Sequence, residues 1–101
     1  MNSKEFYKII DVFIDSVIKT LNSKNDEYTG DNDRLSNFRR AAGLSGTTME
    51  QACFGMMAKH IVSVAELSQR ENVDKDMWNE KLTDLINYCL LMWAIVNENI
   101  D

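Results

Sequence analysis

The chain has 101 residues, the length of one domain with no room for a second. Apolar residues make up 45% of it, which admits a packed core and excludes a disordered class. The net charge of −5 disfavours coating of duplex nucleic acid, whose phosphates need Lys and Arg, but leaves room for a small anionic ligand in a local basic pocket.

Proline is absent and glycine occurs four times, so few positions break a helix. A first helix is predicted from about Ser3 to Leu21, with Asn2 and Glu5 at capping-box spacing. Phe6, Ile9, Ile10, Phe13, Val17, Ile18 and Leu21 recur at three and four and form its apolar stripe. Asn22 to Asp33 is rich in turn formers and reads as a polar loop, long for a helix–helix connection. A short helix, Leu35 to Ala42, is expected next, ended by Gly43. The third helix is predicted after Thr47, which forms a capping box with Glu50, and continues to about Gln69. Its apolar face carries Cys53, Phe54, Met57, Ile61, Val64 and Ala65, with Lys59, Ser63 and Glu66 opposite. The fourth runs from about Lys75 to Asn97, capped by Asp74. Trp78, Leu82, Leu85, Cys89, Trp93 and Val96 make its stripe, and Glu80, Asp84 and Asn87 take the far side.

The expected fold is therefore all-α, a small bundle of three long helices and one short one. Ile86, Leu90, Leu91, Met92 and Ile95 widen the apolar band of the last helix beyond what so short a chain covers, so subunits are expected to pair through the long C-terminal helices. Cys53 and Cys89 lack metal-ligand spacing and read as reduced core thiols. The N-terminus lacks the basic start and apolar run of a signal peptide, and no apolar run approaches the roughly 18–20 residues that span a bilayer. A cytosolic protein without a membrane partner is expected.

The densest polar cluster is Lys24, Asp26, Glu27, Tyr28, Arg34, Asn37, Arg39 and Arg40. Arginine forks match phosphate oxygens, and Tyr28 or Phe38 can stack on a base. A nucleotide pocket is one reading; a solvated charged turn with Phe38 in the core is the other. Glu80 and Asp84 project from one side of a helix, one turn apart, and can share a Mg2+ that also binds phosphate, or can simply be exposed acids. Lys59, in mid-helix near Gly55, reads as a phosphate contact or as an ordinary surface lysine. His60 is the only histidine and has no carboxylate partner evident in the sequence, so it reads as structural. No Gly-rich phosphate loop is present, and no catalytic residue is assigned.

The strings NDEYTGDNDRLSNFRRAAGLSG, KHIVSVAEL and EKLTDLINYCLL resemble small phage and prophage proteins of the nucleotide-modification-associated type. Those are similar in turn to the MazG-like all-α nucleoside triphosphate pyrophosphatases. The resemblance covers about residues 24 to 96 and rests on Glu27–Tyr28, Asn37–Phe38, Lys59 and the Asp84–Asn87–Tyr88 run. It implies a helical bundle that forms a dimer or tetramer. In the catalytic branch, acids from two helices hold magnesium against the phosphates, water attacks phosphorus and pyrophosphate leaves. Those enzymes carry E–x–x–E and E–x–x–D pairs. Here Glu50 and Glu66 stand far apart, and Glu80 and Asp84 are spaced by four.

Three functions follow. The first is a phage-type protein that binds or sequesters a nucleotide, including a host defence signal in the host cytosol. In it Lys24, Arg34, Arg39 and Lys59 meet phosphates, Tyr28 or Phe38 stacks, and Glu27, Asn37, Asn87 and Tyr88 complete the pocket. The second is a Mg2+-dependent pyrophosphatase with Glu80 and Asp84 as ligands. The third is a helical module that inhibits a host enzyme.

Overall fold

The structure, a computed structural model, describes residues 1–28 and 33–98, with side chains for 1–24 and 33–98. It holds four helices and, among the described residues, no strand: α1 (Ser3–Tyr28), α2 (Ser36–Ser45), α3 (Met49–Ser68) and α4 (Lys75–Glu98). No helix is long and apolar enough to cross a membrane among the described residues.

The caps explain most of the boundaries. Asn2 Oδ1 accepts from the Glu5 backbone N–H at 2.9 Å, and the Asn2 N–H donates back to the Glu5 carboxylate at 3.3 Å. Asp74 Oδ1 accepts from the Met77 N–H at 2.8 Å and starts α4. The α3 capping box is Thr48 with Gln51, one residue later than the Thr47–Glu50 pair read from the sequence. The end of α2 also differs. The helix runs through Gly43, which glycine tolerates at a cost of about 1 kcal/mol, and stops at Gly46. Gly46 takes φ +66°, and its N–H bonds the Ala42 carbonyl.

The largest departure is at the end of α1. The helix continues seven residues past Leu21, through the polar run expected to be a loop, and ends at Tyr28. Turn formers penalise a helix only weakly, a few tenths of a kcal/mol each, so the polar run stays compatible with helix. Within it Lys24 reaches Asp84 on α4.

Helix α3 packs on α4, α2 lies on α3, and α1 lies on α4. Leu35, Phe38, Cys53 and Ile95 form the core, flanked by Met49, Met56, Tyr88, Leu91 and Met92. Helix α4 is rotated relative to the sequence expectation. Asn87, placed on the far side, is 5% exposed, whereas Trp93, placed on the core stripe, is 65% exposed. Cys89 of the same stripe is exposed too, so only Cys53 is a core thiol, with its Sγ 3.9 Å from the Tyr88 carbonyl. Burial pushes the Cys53 thiol up from its ordinary pKa.

The apolar face of α3 is split. Cys53 and Met57 are buried while Phe54 and Ile61 lie exposed. On α1 only Val17 is fully buried; Phe6, Ile9, Ile10 and Ile18 of its stripe remain exposed. The chain is correspondingly extended, at 45 × 27 × 27 Å, with a radius of gyration of 15.6 Å against about 13 Å for a compact chain of this length.

Candidate functional site

A half-open cavity of about 360 Å³ lies among the four helices. That is within the roughly 300–1,000 Å³ range of small-molecule sites. Each helix contributes a short periodic set. Leu21 and Lys24 come from α1, one turn apart. Asn37 and Phe38 come from α2, with Arg34 just before it. Met56, Lys59 and His60 share one side of α3, and Asp84, Asn87, Tyr88 and Leu91 recur at three and four along α4.

The cations are positioned before any ligand arrives. Lys24 Nζ stands 3.3 Å from Asp84 Oδ1. Arg34 donates to Asn22 Oδ1 at 3.2 Å and to the Leu21 carbonyl at 3.4 Å, so the end of α1 holds its guanidinium. The remaining N–H groups of its fork suit a phosphate oxygen. Lys59 stays exposed on the α3 side of the cavity.

Aromatic surface lies beside them. His60 stacks on Tyr88, with ring centroids 4.9 Å apart and planes at 29°. The His60 Nδ1 is 4.0 Å from Asp84 Oδ2, beyond hydrogen-bond reach. Burial holds the His60 pKa below 6.5; Asp84 opposes the shift, and Lys59, Lys24 and Lys81 add to it. Burial likewise raises the Tyr88 phenol above 10. The neutral ring pair therefore persists at physiological pH.

Asn87 is the most informative member. Its Oδ1 and Nδ2 are both buried and have no hydrogen-bond partner among the described residues, as is also the case for Thr83 Oγ1. A buried amide left unpaired costs roughly 1–3 kcal/mol, so such groups are rare unless a ligand or water completes them. Here the amide belongs to a residue that lines the cavity.

The structure thus brings Lys24, Arg34, Asn37, Phe38, Lys59, Asp84, Asn87 and Tyr88 to one place. It does not bring Arg39 there. Arg39 Nε donates to Asp33 at 2.7 Å and its Nη2 to Glu98 at 2.6 Å, which ties the start of α2 to the end of α4. The hydrogen bonds from Arg39 and from the Leu35 N–H hold the Asp33 carboxyl below its usual range, and the two acids push the Arg39 pKa further up. Arg40 is exposed and outside the cavity lining. Glu80, one turn before Asp84, is likewise exposed and outside it. Glu27 and Tyr28 lie outside the described side chains. Among the described residues, no three His, Cys, Asp or Glu side chains gather into a metal-binding group.

Sequence reasoning left out four lining residues, the apolar Leu21, Met56 and Leu91 and, as the one polar member, His60. Its signal was its spacing: Met56, Lys59 and His60 stand at i, i+3 and i+4, so a ligand-facing Lys59 carries His60 with it. Comparison of the chain with protein-family models, curated proteins and solved structures found no match to any of them.

Proposed function

We propose that this protein binds a phosphorylated nucleotide in the four-helix cavity and holds it without turnover, as a homo-oligomer. The observation that carries this reading is the convergence of Lys24, Arg34 and Lys59 with Phe38, Tyr88 and the unpartnered Asn87 amide. Three cations beside a single described carboxylate, in a chain of net charge −5, make a local basic spot suited to phosphate. The His60–Tyr88 pair gives a flat base something to lie against, and the core residue Phe38, 5% exposed, lends only an edge to the cavity. The amide of Asn87 offers one donor group and one acceptor to the ligand. The resemblance to phage nucleotide-modification-associated and MazG-like proteins supports the same ligand class. It fits a phage-encoded protein that sequesters a nucleotide, including a host defence signal, in the host cytosol.

A pyrophosphatase needs more acid than the described cavity holds. Asp84 is its one described carboxylate and is engaged by Lys24, so the set does not match the two-helix acid pairs that hold Mg2+ in hydrolases.

The exposed apolar faces support self-association. The accessible surface is 7468 Å², against about 5,800 Å² expected for a compact monomer of this mass. The excess, about 1,600 Å² per chain, is of the size that obligate subunit interfaces bury. Phe54 and Ile61 of α3 and Trp93 of α4 belong to it, and the N-terminal half of α1 adds Phe6, Ile9 and Ile10.

Thermal shift against a panel of nucleoside mono-, di- and triphosphates, with and without Mg2+, tests the reading. Stabilisation in the absence of Mg2+, with no product formed, is expected. Pyrophosphate release that depends on Asp84 supports the hydrolase instead. No response to any nucleotide supports a protein-binding helical module.

A further inference from the structure

We infer that Asp84 selects the sugar of the ligand: the cavity takes a nucleotide with free vicinal hydroxyls, a ribonucleotide, in preference to a 2′- or 3′-deoxynucleotide. The inference rests on the nucleotide reading above and names the part of the ligand that the cavity's acid meets.

Asp84 is the only described acidic side chain lining a cavity otherwise supplied with Lys24, Arg34 and Lys59. A ligand that offers only phosphate oxygens meets that carboxylate as a like charge. A ligand that also offers hydroxyl donors meets it as an acceptor. The carboxylate has capacity for this. Its side chain is 21% exposed, Oδ1 receives one bond from Lys24, and Oδ2 faces His60 at 4.0 Å without a hydrogen bond. A carboxylate has about four acceptor sites, so among the described residues both oxygens retain free lone pairs.

Two adjacent hydroxyls on a five-membered ring match the two oxygens of one carboxylate, and an acidic residue meets the ribose 2′-hydroxyl in this way in dinucleotide-binding α/β folds. The placement also divides the labour. Asp84 sits on α4 one turn ahead of Asn87 and Tyr88, while Arg34, Asn37 and Phe38 approach from α2 and its lead-in. Lys24, 3.3 Å from Oδ1, holds the carboxylate in place on the cavity side of α4.

The test is titration calorimetry in EDTA with the 5′-diphosphates of the four common bases, each as the ribo, 2′-deoxy and 3′-deoxy compound, on the wild type and on Asp84→Asn. For the ribonucleotides that bind, the wild type is expected to prefer them to both deoxy forms by about tenfold or more, as for loss of a hydrogen bond to a charged group. In Asp84→Asn the preference collapses toward parity, while inorganic pyrophosphate binds more tightly than to the wild type. Equal binding of ribo and deoxy forms by the wild type overturns the sugar inference and leaves the nucleotide reading standing. So does a ribo preference that survives in Asp84→Asn. Failure of every compound to bind the wild type overturns the sugar inference, and overturns the nucleotide reading too when no mono- or triphosphate gives a thermal shift. Circular dichroism melting of Asp84→Asn verifies its fold, and Asp84→Glu, which keeps the acceptor, is expected to retain part of the discrimination.

Discussion

Lys24 and Asp84, sixty residues apart in sequence, meet at 3.3 Å and join the extended end of α1 to the cavity side of α4. The lysine is half exposed, so the pair contributes little to stability, on the order of 0–1 kcal/mol. Its larger effect is to hold a cation beside the site. Lys24→Ala is therefore expected to leave the melting temperature within a few degrees of wild type, as roughly 1 kcal/mol implies, while weakening a phosphorylated ligand about tenfold. Paired melting and titration measurements check this; a large loss of stability with unchanged affinity contradicts it.

Asn87 gives the opposite pairing of effects. Replacing a buried, unpartnered amide by an apolar group of similar size removes a desolvation cost. Asn87→Leu is expected to raise stability by about 1 kcal/mol, some 4 °C or more in melting temperature, and to abolish ligand binding. A drop in melting temperature shows that the amide has a partner in the protein itself.

Arg39 separates the site from its surroundings. Its guanidinium is committed to Asp33 and Glu98 and does not reach the cavity. Arg39→Ala is expected to loosen the junction of α2 with α4, seen as faster amide exchange near those residues. Nucleotide affinity is expected to stay within about twofold, since groups that share no contact act almost independently. A tenfold loss returns Arg39 to the phosphate-binding set.

The pH dependence follows from His60. Burial lowers its folded-state pKa below the unfolded value of 6.5. The folded state therefore binds fewer protons there, and its full stability is present above about pH 6.5 and is lost as pH falls through the lowered folded value. His60→Gln is expected to flatten that part of the stability curve. An anion in the cavity reverses the preference, because it favours the imidazolium against Lys59, Lys24 and Lys81. Sulfate, which does not titrate there, is expected to bind more tightly at about pH 6 than at pH 8, and equally at both in the His60→Gln variant. Unchanged sulfate binding in the wild type contradicts this role for His60.

The outer faces carry a separate prediction. Trp93 is 65% and Phe54 59% exposed, so changing either to Lys costs the isolated chain little core packing. Trp93→Lys and Phe54→Lys are expected to lower the mass found by light scattering without reducing helicity. A wild type that is monomeric at high concentration contradicts the assignment of these faces to a second copy.

Periodicity and caps made the four helices legible, and the chemistry of lysine, arginine and aromatic side chains made most of the cavity lining legible. The rotation of α4 was not. Apolar residues cover more than half of its circumference, so apolar count favoured the side with Trp78, Cys89 and Trp93. Packing instead buried Asn87 and Ile95 and left Trp93 outside. A helix with two apolar faces carries no local sign of which face meets its own chain and which awaits another. The extension of α1 was hidden for a related reason: residues 22 to 28 look like a loop until Asp84 is brought opposite Lys24. Arg39 resembles its neighbour Arg34 in sequence; only the fold shows that Asp33 and Glu98 claim one and the end of α1 holds the other at the cavity.

Calorimetric titration of the wild type and of the Arg34→Ala/Lys59→Ala double variant with the nucleotide that gives the largest thermal shift bears most directly on the cavity. Saturable binding to the wild type, lost in a double variant that still melts cooperatively, is the predicted result. No heat with any nucleotide, or binding that persists when both cations are gone, means that the phosphorylated ligand is not held among these helices.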